Sequence, residues 1–511
     1  MINNCSFVGM DKSKIVFKLF VCVFIIFGFV NNVCGACIWA DNTGMPTSCA
    51  NSDVAACVAD ASSRIGDVTI NLPACSTTWS SPLTINMSNG FTKVTSLNIL
   101  GSGTIPSFGS AEMTSIKGSG LSSAIVITGT ADKKFRIANI KFTGAFTGYD
   151  GVIYVKGTYK PSAGGGFRID HNNFNTTRAA GSPRGIRIYG YTYGVIDHNN
   201  YYIGHQANTV WEGVKAQANQ SWNRAISVGT EDAVYFEDNV ATKSNSDVNT
   251  MFCDGENGGR IVVRYNDITN YYLGGHDATT SDRGIVQYEA YNNTVRLVDV
   301  QAYSADPRFF LRGGTHIIYN NTILETRNGA RSTNGMWSGT TAIVLQNDRS
   351  MEKYQHISPW GDRCGSSTKK ICLGTKTAAI SCSSDADCGG EAGSCQNLDG
   401  NEDGSGYPCR DQIGVAPNGT IRGQLTKYPS LFWNNTYNGN PTNPVVRDDF
   451  NNKTHIQNNR DFCYHATTKP LNCSGINSTY KPFPYPHPLI TDSPMPPSPD
   501  ISAPKGFKLV K

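Results

Sequence analysis

The 511-residue chain is short of net charge: 44 basic against 40 acidic residues leave a formal +4 at pH 7. An excess that small argues against nucleic acid as a partner. Its cysteines do not form two CxxC pairs, so nothing points to a zinc site, and nothing suggests a nucleotide or haem. No sustained 3.6-residue apolar period runs through the chain, which sets aside the helical solenoids. One apolar run does stand out, at residues 19–30, preceded by Lys12, Lys14 and Lys18 and followed by the small residues Gly35 and Ala36. It is too short for a comfortable membrane span and reads as a secretory signal peptide, 1–36. No transmembrane segment is expected once it is removed.

Cleavage near Ala36 puts Cys37 at the new N-terminus, which opens a second reading as a lipoprotein, although Cys34 and Gly35 make a poor lipid-attachment box. Thirteen of the sixteen cysteines remain, in clusters of four (Cys37, Cys49, Cys57, Cys75), six (Cys364, Cys372, Cys382, Cys388, Cys395, Cys409) and two (Cys463, Cys473). Such clusters suit disulfides in an oxidising compartment, so the expected location is secreted, extracellular or cell surface, with the periplasm also open. Cys253 is left over and reads either as a buried filler or as a reactive thiol.

What the chain has in plenty is asparagine on a beat. Asn172, Asn199, Asn239, Asn266, Asn293 and Asn321 each stand two residues before Phe174, Tyr201, Ala241, Ile268, Val295 or Ile323, and four of the five steps are 27 or 28 residues. The long step, from Asn199 to Asn239, reads as one coil carrying a loop over about 204–230. Apolar residues three before each Asn alternate with mostly polar ones two before it, a strand signature. A unit this short fits three strands and three turns. Stacking such units in register gives an all-β parallel β-helix with coils about 4.8 Å apart. One Asn per turn can then bond the same Asn of the next coil, a ladder that satisfies buried polar groups.

The ends carry different signals. Asn51-Ser52-Asp53 starts a short helix that would cap the core, within a unit framed by the first cysteine cluster. The expected organisation is cap and β-helix over 37–350, a Cys-rich insertion over 351–415, a final coil and C-terminal cap over 416–480, and a proline-rich tail over 481–511. The tail should be extended, lying along the solenoid or reaching a partner.

The units Phe167-Arg-Ile-Asp-His-Asn-Asn-Phe174 and Gly194-Val-Ile-Asp-His-Asn-Asn-Tyr201 resemble coils of the right-handed parallel β-helix proteins, the pectate-lyase-like superfamily of polysaccharide lyases and hydrolases. The resemblance covers about 50–350 and the coil near 435. It implies a right-handed β-helix solenoid with an N-terminal capping helix and a disulfide-rich insertion, in a secreted, monomeric bacterial protein that acts on or binds polysaccharide. No catalytic motif of a defined lyase family is carried over with it. Coils of this kind also occur in binding proteins such as adhesins.

Stacking makes residues at equal offset into neighbours. The column two before each Asn reads Asp170, Asp197, Glu237, Arg264, Tyr291 and Tyr319. Three acids in line invite a Ca²⁺ ion or pairing with Arg264, and the tyrosines could stack on sugars, with Arg260 and Arg264 as further substrate ligands. The plainer reading is a solvated strand face with cross-coil pairs. Nine to twelve residues before the Asn lies a second concentration: Asp254 and Glu256, then Asp282 and Arg283, then Arg312, with Gly274-Gly-His276-Asp277 beside them. Glu256 and Arg283 share an offset, so an ion pair is the plain reading. A lyase would use Arg283 or Arg312 to neutralise a uronic carboxylate and His276 as base. A glycosidase would use Asp254 and Asp282, about 5 Å apart and therefore retaining.

Overall fold

The computed structural model describes residues 37–491 except 89, 104–112, 130–132, 158–165, 213–220, 223, 244–249, 279–282, 299–306, 327–341, 348–369, 373–380, 391–394, 398–410, 418–424, 448–455, 472 and 474–478. The expected signal peptide, Asp282, much of the Cys-rich insertion and the end of the tail lie outside the described residues.

Each ladder Asn sits at a corner. Gly166–Asp170 is a strand of one sheet, Asn172 turns the chain, and Asn173–Arg178 is a strand of the next sheet. The turn closes because the preceding residue takes a left-handed backbone conformation, as at His171, His198, Asp238, Tyr265, Asn292, Asn320 and Asn434. Asn, Asp and His tolerate that region better than most side chains. A third strand, Arg184–Tyr189, completes the coil. Repetition gives three long sheets of 13, 11 and 10 strands, called sheets A, B and C, in which strands of successive coils pair parallel throughout the solenoid. The protein is a parallel β-helix.

The interior is filled by columns of like residues, one per sheet. On sheet A, Ile137, Ile169, Ile196, Phe236, Val263, Ala290, Ile318 and Phe432 follow one another in register. On sheet B, the rings of Phe142 and Phe174 stack at 5.3 Å and those of Phe174 and Tyr201 at 4.9 Å. Cys253 belongs to this core as a free, buried thiol. Burial pushes its pKa up, so it remains a neutral filler.

The asparagine column is a continuous ladder. In each link the backbone N–H and side-chain amide of one Asn donate to the side-chain oxygen of the next, from Asn172 to Asn199 (3.0 and 3.1 Å) through to Asn321 and Asn435 (3.1 and 2.9 Å). Asn435 is a rung beyond the six legible in the spacing, because the Cys-rich insertion separates it from Asn321.

Both ends are closed. At the N-terminal end, helix α1 (Asn51–Ala61) buries Val54, Cys57, Val58 and Ala61 in the core, and disulfides Cys37–Cys57 and Cys49–Cys75 tie it down. The Cys37 sulfur is therefore occupied, which leaves none for a lipid thioether. At the other end Ile456 and Phe462 cover the last coil, next to the Cys463–Cys473 disulfide.

The two longest insertions enter where sheet C returns to sheet A. The loop expected at 204–230 in fact starts later: Gln206–Trp211 is a regular sheet C strand, paired with Arg184–Tyr189 and Met251–Glu256. Its inward Asn208, bonded by the Tyr201 hydroxyl at 3.0 Å, disguised the strand as polar loop. The Cys-rich insertion leaves from the same corner, between strands Ile343–Leu345 and Ser430–Trp433. Its described part holds a three-stranded sheet and the Cys382–Cys395 disulfide.

Candidate functional site

The outward column of sheet A is closed to solvent. Its register is Asp170, Asp197, Glu237, Arg264, Tyr291, Tyr319 and Trp433, in the order read from the sequence. Each acid has an arginine. Arg136 donates to Asp170 from Nε and Nη2 (2.7 and 2.6 Å), Arg168 likewise to Asp197 (2.9 and 2.8 Å), and Arg264 Nε to Glu237 at 2.7 Å. The three carboxylates expected to bind Ca²⁺ thus spend their oxygens on guanidinium groups. Arg136 and Arg168 were legible as outward residues of their strands, two before the acid column, but the count of offsets stopped short of them.

The tail covers this face. Tyr480, Phe483, Leu489 and Ile490 pack on Val195, Tyr235, Val262, Tyr291, Ile317 and Tyr319. Arg264 donates to the carbonyls of Phe483 and Pro484 (2.6 and 2.7 Å), and Arg168 to that of Ile490. Tyr291 and Tyr319 stack at 4.6 Å, and Tyr319 on Trp433 at 4.1 Å, but the two tyrosines are only 2% and 7% exposed. The solvated face expected here is a buried one, since the strand pattern cannot register a cover supplied by residues 190 positions away.

Arg260 and Arg283 are anchors for inserted segments. Arg260 is fully buried and donates to oxygens of Ser221, Arg224, Ala225 and Ser227 in the long coil's loop. Arg283 grips Asp411 from Nε and Nη2 (2.9 and 2.6 Å) and lies 4.6 Å from the Trp222 ring. Breaking a buried pair of this kind costs about 3–5 kcal/mol.

Sheet C is where the remaining candidates meet. His276 Nε2 lies 3.2 Å from Asp254 Oδ1 and 3.2 Å from Arg312 Nη2, while Arg312 Nε donates to the Gly275 carbonyl at 3.1 Å. Three coils contribute to the cluster, as the offsets anticipated. Gly274 sits between Asp254 and Phe310 in register, and a Cβ there would collide with the Phe310 carbonyl. Burial opposes ionisation of Asp254, but the His276 ring, the Gln206 amide and Arg312 outweigh it and hold the carboxyl well below the usual range. Asp254 is thus a carboxylate at neutral pH, suited to orient an imidazole and unsuited to serve as a protonated acid. His276 Nδ1 is a buried polar atom with no hydrogen bond among the described residues.

Toward the N-terminal coils the same face becomes cationic and aromatic. Tyr154, Arg187, Thr209 and Asp254 follow in register, flanked by Lys156, Tyr189, Trp211 and Glu256. The Arg187 guanidinium lies 4.4 Å from the Trp211 ring and 5.2 Å from Tyr154, Arg184 lies 5.7 Å from Tyr149, and Tyr149 is open to solvent. Trp211 Nε1 and Arg187 Nε also lack hydrogen bonds among the described residues. Sequence reading missed this strip. Arg187 lies 12 residues before Asn199, as Asp254 lies 12 before Asn266, so the same offset pointed to it, whereas Trp211 is separated from Asn239 by the loop inserted after its strand.

Comparison of the chain with family models, with curated proteins and with solved structures finds no match. No helix among the described residues is long and apolar enough to cross a membrane.

Proposed function

We propose that this is a secreted β-helix protein that binds an acidic polysaccharide along sheet C and cleaves it by β-elimination. The observation that carries the reading is the convergence of Asp254, His276 and Arg312 from three coils onto one face, in line with the strip of Arg184, Arg187, Tyr154, Tyr189 and Trp211. From the Tyr154 coil to the Phe310 coil the face extends about 24 Å, room for several sugars. Arginines bind carboxylates through two parallel hydrogen bonds and aromatic rings pack on apolar sugar faces, so such a strip suits a uronic-acid polymer. The likeness of the 167–174 and 194–201 units to coils of the pectate-lyase-like superfamily supports the same class, and disulfides at both ends suit an oxidising, extracellular setting.

In this reading substrate binding turns the His276 ring out of its buried position, so that Asp254 accepts from one ring nitrogen and the other, now facing the polymer, serves as base. That nitrogen takes the proton from the carbon beside the uronic carboxylate, and Arg312 neutralises the carboxylate as charge develops. The C–H electron pair becomes a C=C bond, the glycosidic C–O bond breaks, and the departing oxygen is protonated from solvent. A general base contributes about 10²–10⁴-fold, so His276→Ala should lower turnover by that factor while the polymer still binds. The assay follows ultraviolet absorbance of unsaturated ends from a panel of uronic-acid polysaccharides. Product formed equally well by His276→Ala refutes the assignment. Binding by the wild type with no product from any polymer would instead favour a glycan-binding surface protein.

A further inference from the structure

The turn residue just before the ladder Asn is His171 in one coil, His198 in the next and Asp238 in the third. The ladder holds each in the left-handed conformation, at φ 54°, 53° and 53°. The two imidazoles lie parallel, 4° from coplanar stacking, with centroids 4.9 Å apart. Each is oriented from behind. His171 Nδ1 lies 2.8 Å from Asp170 Oδ2 and His198 Nδ1 lies 2.9 Å from Asp197 Oδ2. Both carboxylates are themselves fully buried and held by Arg136 and Arg168. A carboxylate facing Nδ1 fixes the proton there, so Nε2 carries the lone pair at the opposite edge of the ring. The side chains are 23% and 43% exposed.

This is the arrangement metal-binding histidines use: a carboxylate behind the ring sets tautomer and direction and raises ligand basicity. Both imidazoles have it, on the most regular part of the solenoid. We propose that His171 and His198, through Nε2, form a surface site for a divalent transition metal of the zinc, nickel or copper class, with the Asp238 carboxylate of the next coil adding negative charge nearby. Imidazole nitrogen selects these ions, whereas calcium requires a shell of oxygens. The carboxylates first read as calcium ligands thus serve one shell further out. One ion needs both nitrogens at about 2.0–2.1 Å, so binding must tilt the two rings, now parallel and 4.9 Å apart, toward each other at their Nε2 edges. The site lies on the sheet A to sheet B corner, separate from the proposed catalytic cluster on sheet C.

Asparagine already occupies this turn position in other coils, at Asn292, Asn320 and Asn434, with the same backbone conformation. His171→Asn and His198→Asn are therefore conservative for the fold. Isothermal titration of the full secreted chain with zinc or nickel chloride should show one equivalent bound. Either variant should weaken it at least tenfold and the double variant should abolish it, with calcium chloride giving no heat at the same concentration. Melting temperature without metal checks that the variants are folded. No binding of either zinc or nickel by the wild type, or unchanged binding by the double variant, overturns the site. Polysaccharide cleavage in the double variant should match the wild type, which separates this inference from the catalytic one.

Discussion

Asn266 shows what one residue does when it repeats. Its amide nitrogen donates to the carbonyls of Phe236 and Arg264 (both 2.9 Å) and to Asn293 Oδ1 (3.0 Å), and its oxygen accepts both donors of Asn239. Asp is nearly identical in size but offers no donor. Asn266→Asp should cost about 3 kcal/mol, because the two buried carbonyls lose the side-chain donor and Asn293 Oδ1 keeps only the Asn266 backbone N–H; the urea midpoint measures it, and a change below experimental error would remove the ladder from the account of stability. The spacing of the asparagines made this role legible at once, since only a stacked repeat gives one residue type a fixed beat. The role of Arg260 was hidden for the opposite reason. Its partners lie in a loop with no repeat, so its place on a strand next to charged neighbours looked like a surface site until the loop was seen folded over it.

Among the elements, the tail crosses the coils most widely. It runs from the Glu289 coil, where the Tyr480 hydroxyl bonds the carboxyl at 2.6 Å, back to the Arg168 coil at Ile490. Its proline content announced an extended segment, but nothing in it named the surface it would cover. That surface can be seen in hindsight in runs such as Ile261-Val-Val, where Val262 faces outward and needs a cover, as strands buried on both faces do. Burial raises the Glu289 pKa from 4.5 to about 7, against the lowering effects of Tyr480, the Gly229 N–H and Arg264. The unfolded chain therefore loses this proton first. The stability associated with it is full below about pH 4.5 and is lost as pH rises to about 7, by up to roughly 3 kcal/mol. Glu289→Gln should flatten that part of the profile when denaturation midpoints are compared at pH 4.5, 6 and 7.5. A parallel decline in wild type and variant would show that another group titrates.

For the molecule as a whole, contacts run mainly between neighbouring coils, so stability is approximately a sum of coil and interface terms. The two N-terminal disulfides span 20 and 26 residues, and closing loops of that size stabilises by about 3 kcal/mol each. Reduction should therefore fray one end. Hydrogen exchange should rise in Gly66–Asn71 and Cys75–Trp79 while Arg260–Arg264 stays protected; uniform loss would mean the solenoid unfolds as one unit. Solenoid and caps could be read from the sequence because local periodicity dictates them. Of the sheet C face, Asp254, His276 and Arg312 were read; Trp211 was hidden by the loop that separates it from Asn239, and Arg187, at the same offset as Asp254, lacked the neighbouring acids that drew attention to the later coils.

Every link of the asparagine ladder points the same way, from each coil to its successor. Tolerated changes of length in this chain are therefore quantised. Removing or duplicating a whole unit of about 27 residues restores donor to acceptor and shifts the far end by one coil, whereas losing a single residue within a strand turns the rest of that strand inside out. The corners absorb extra residues without disturbing the register, and the one from sheet C to sheet A has stored the two largest insertions.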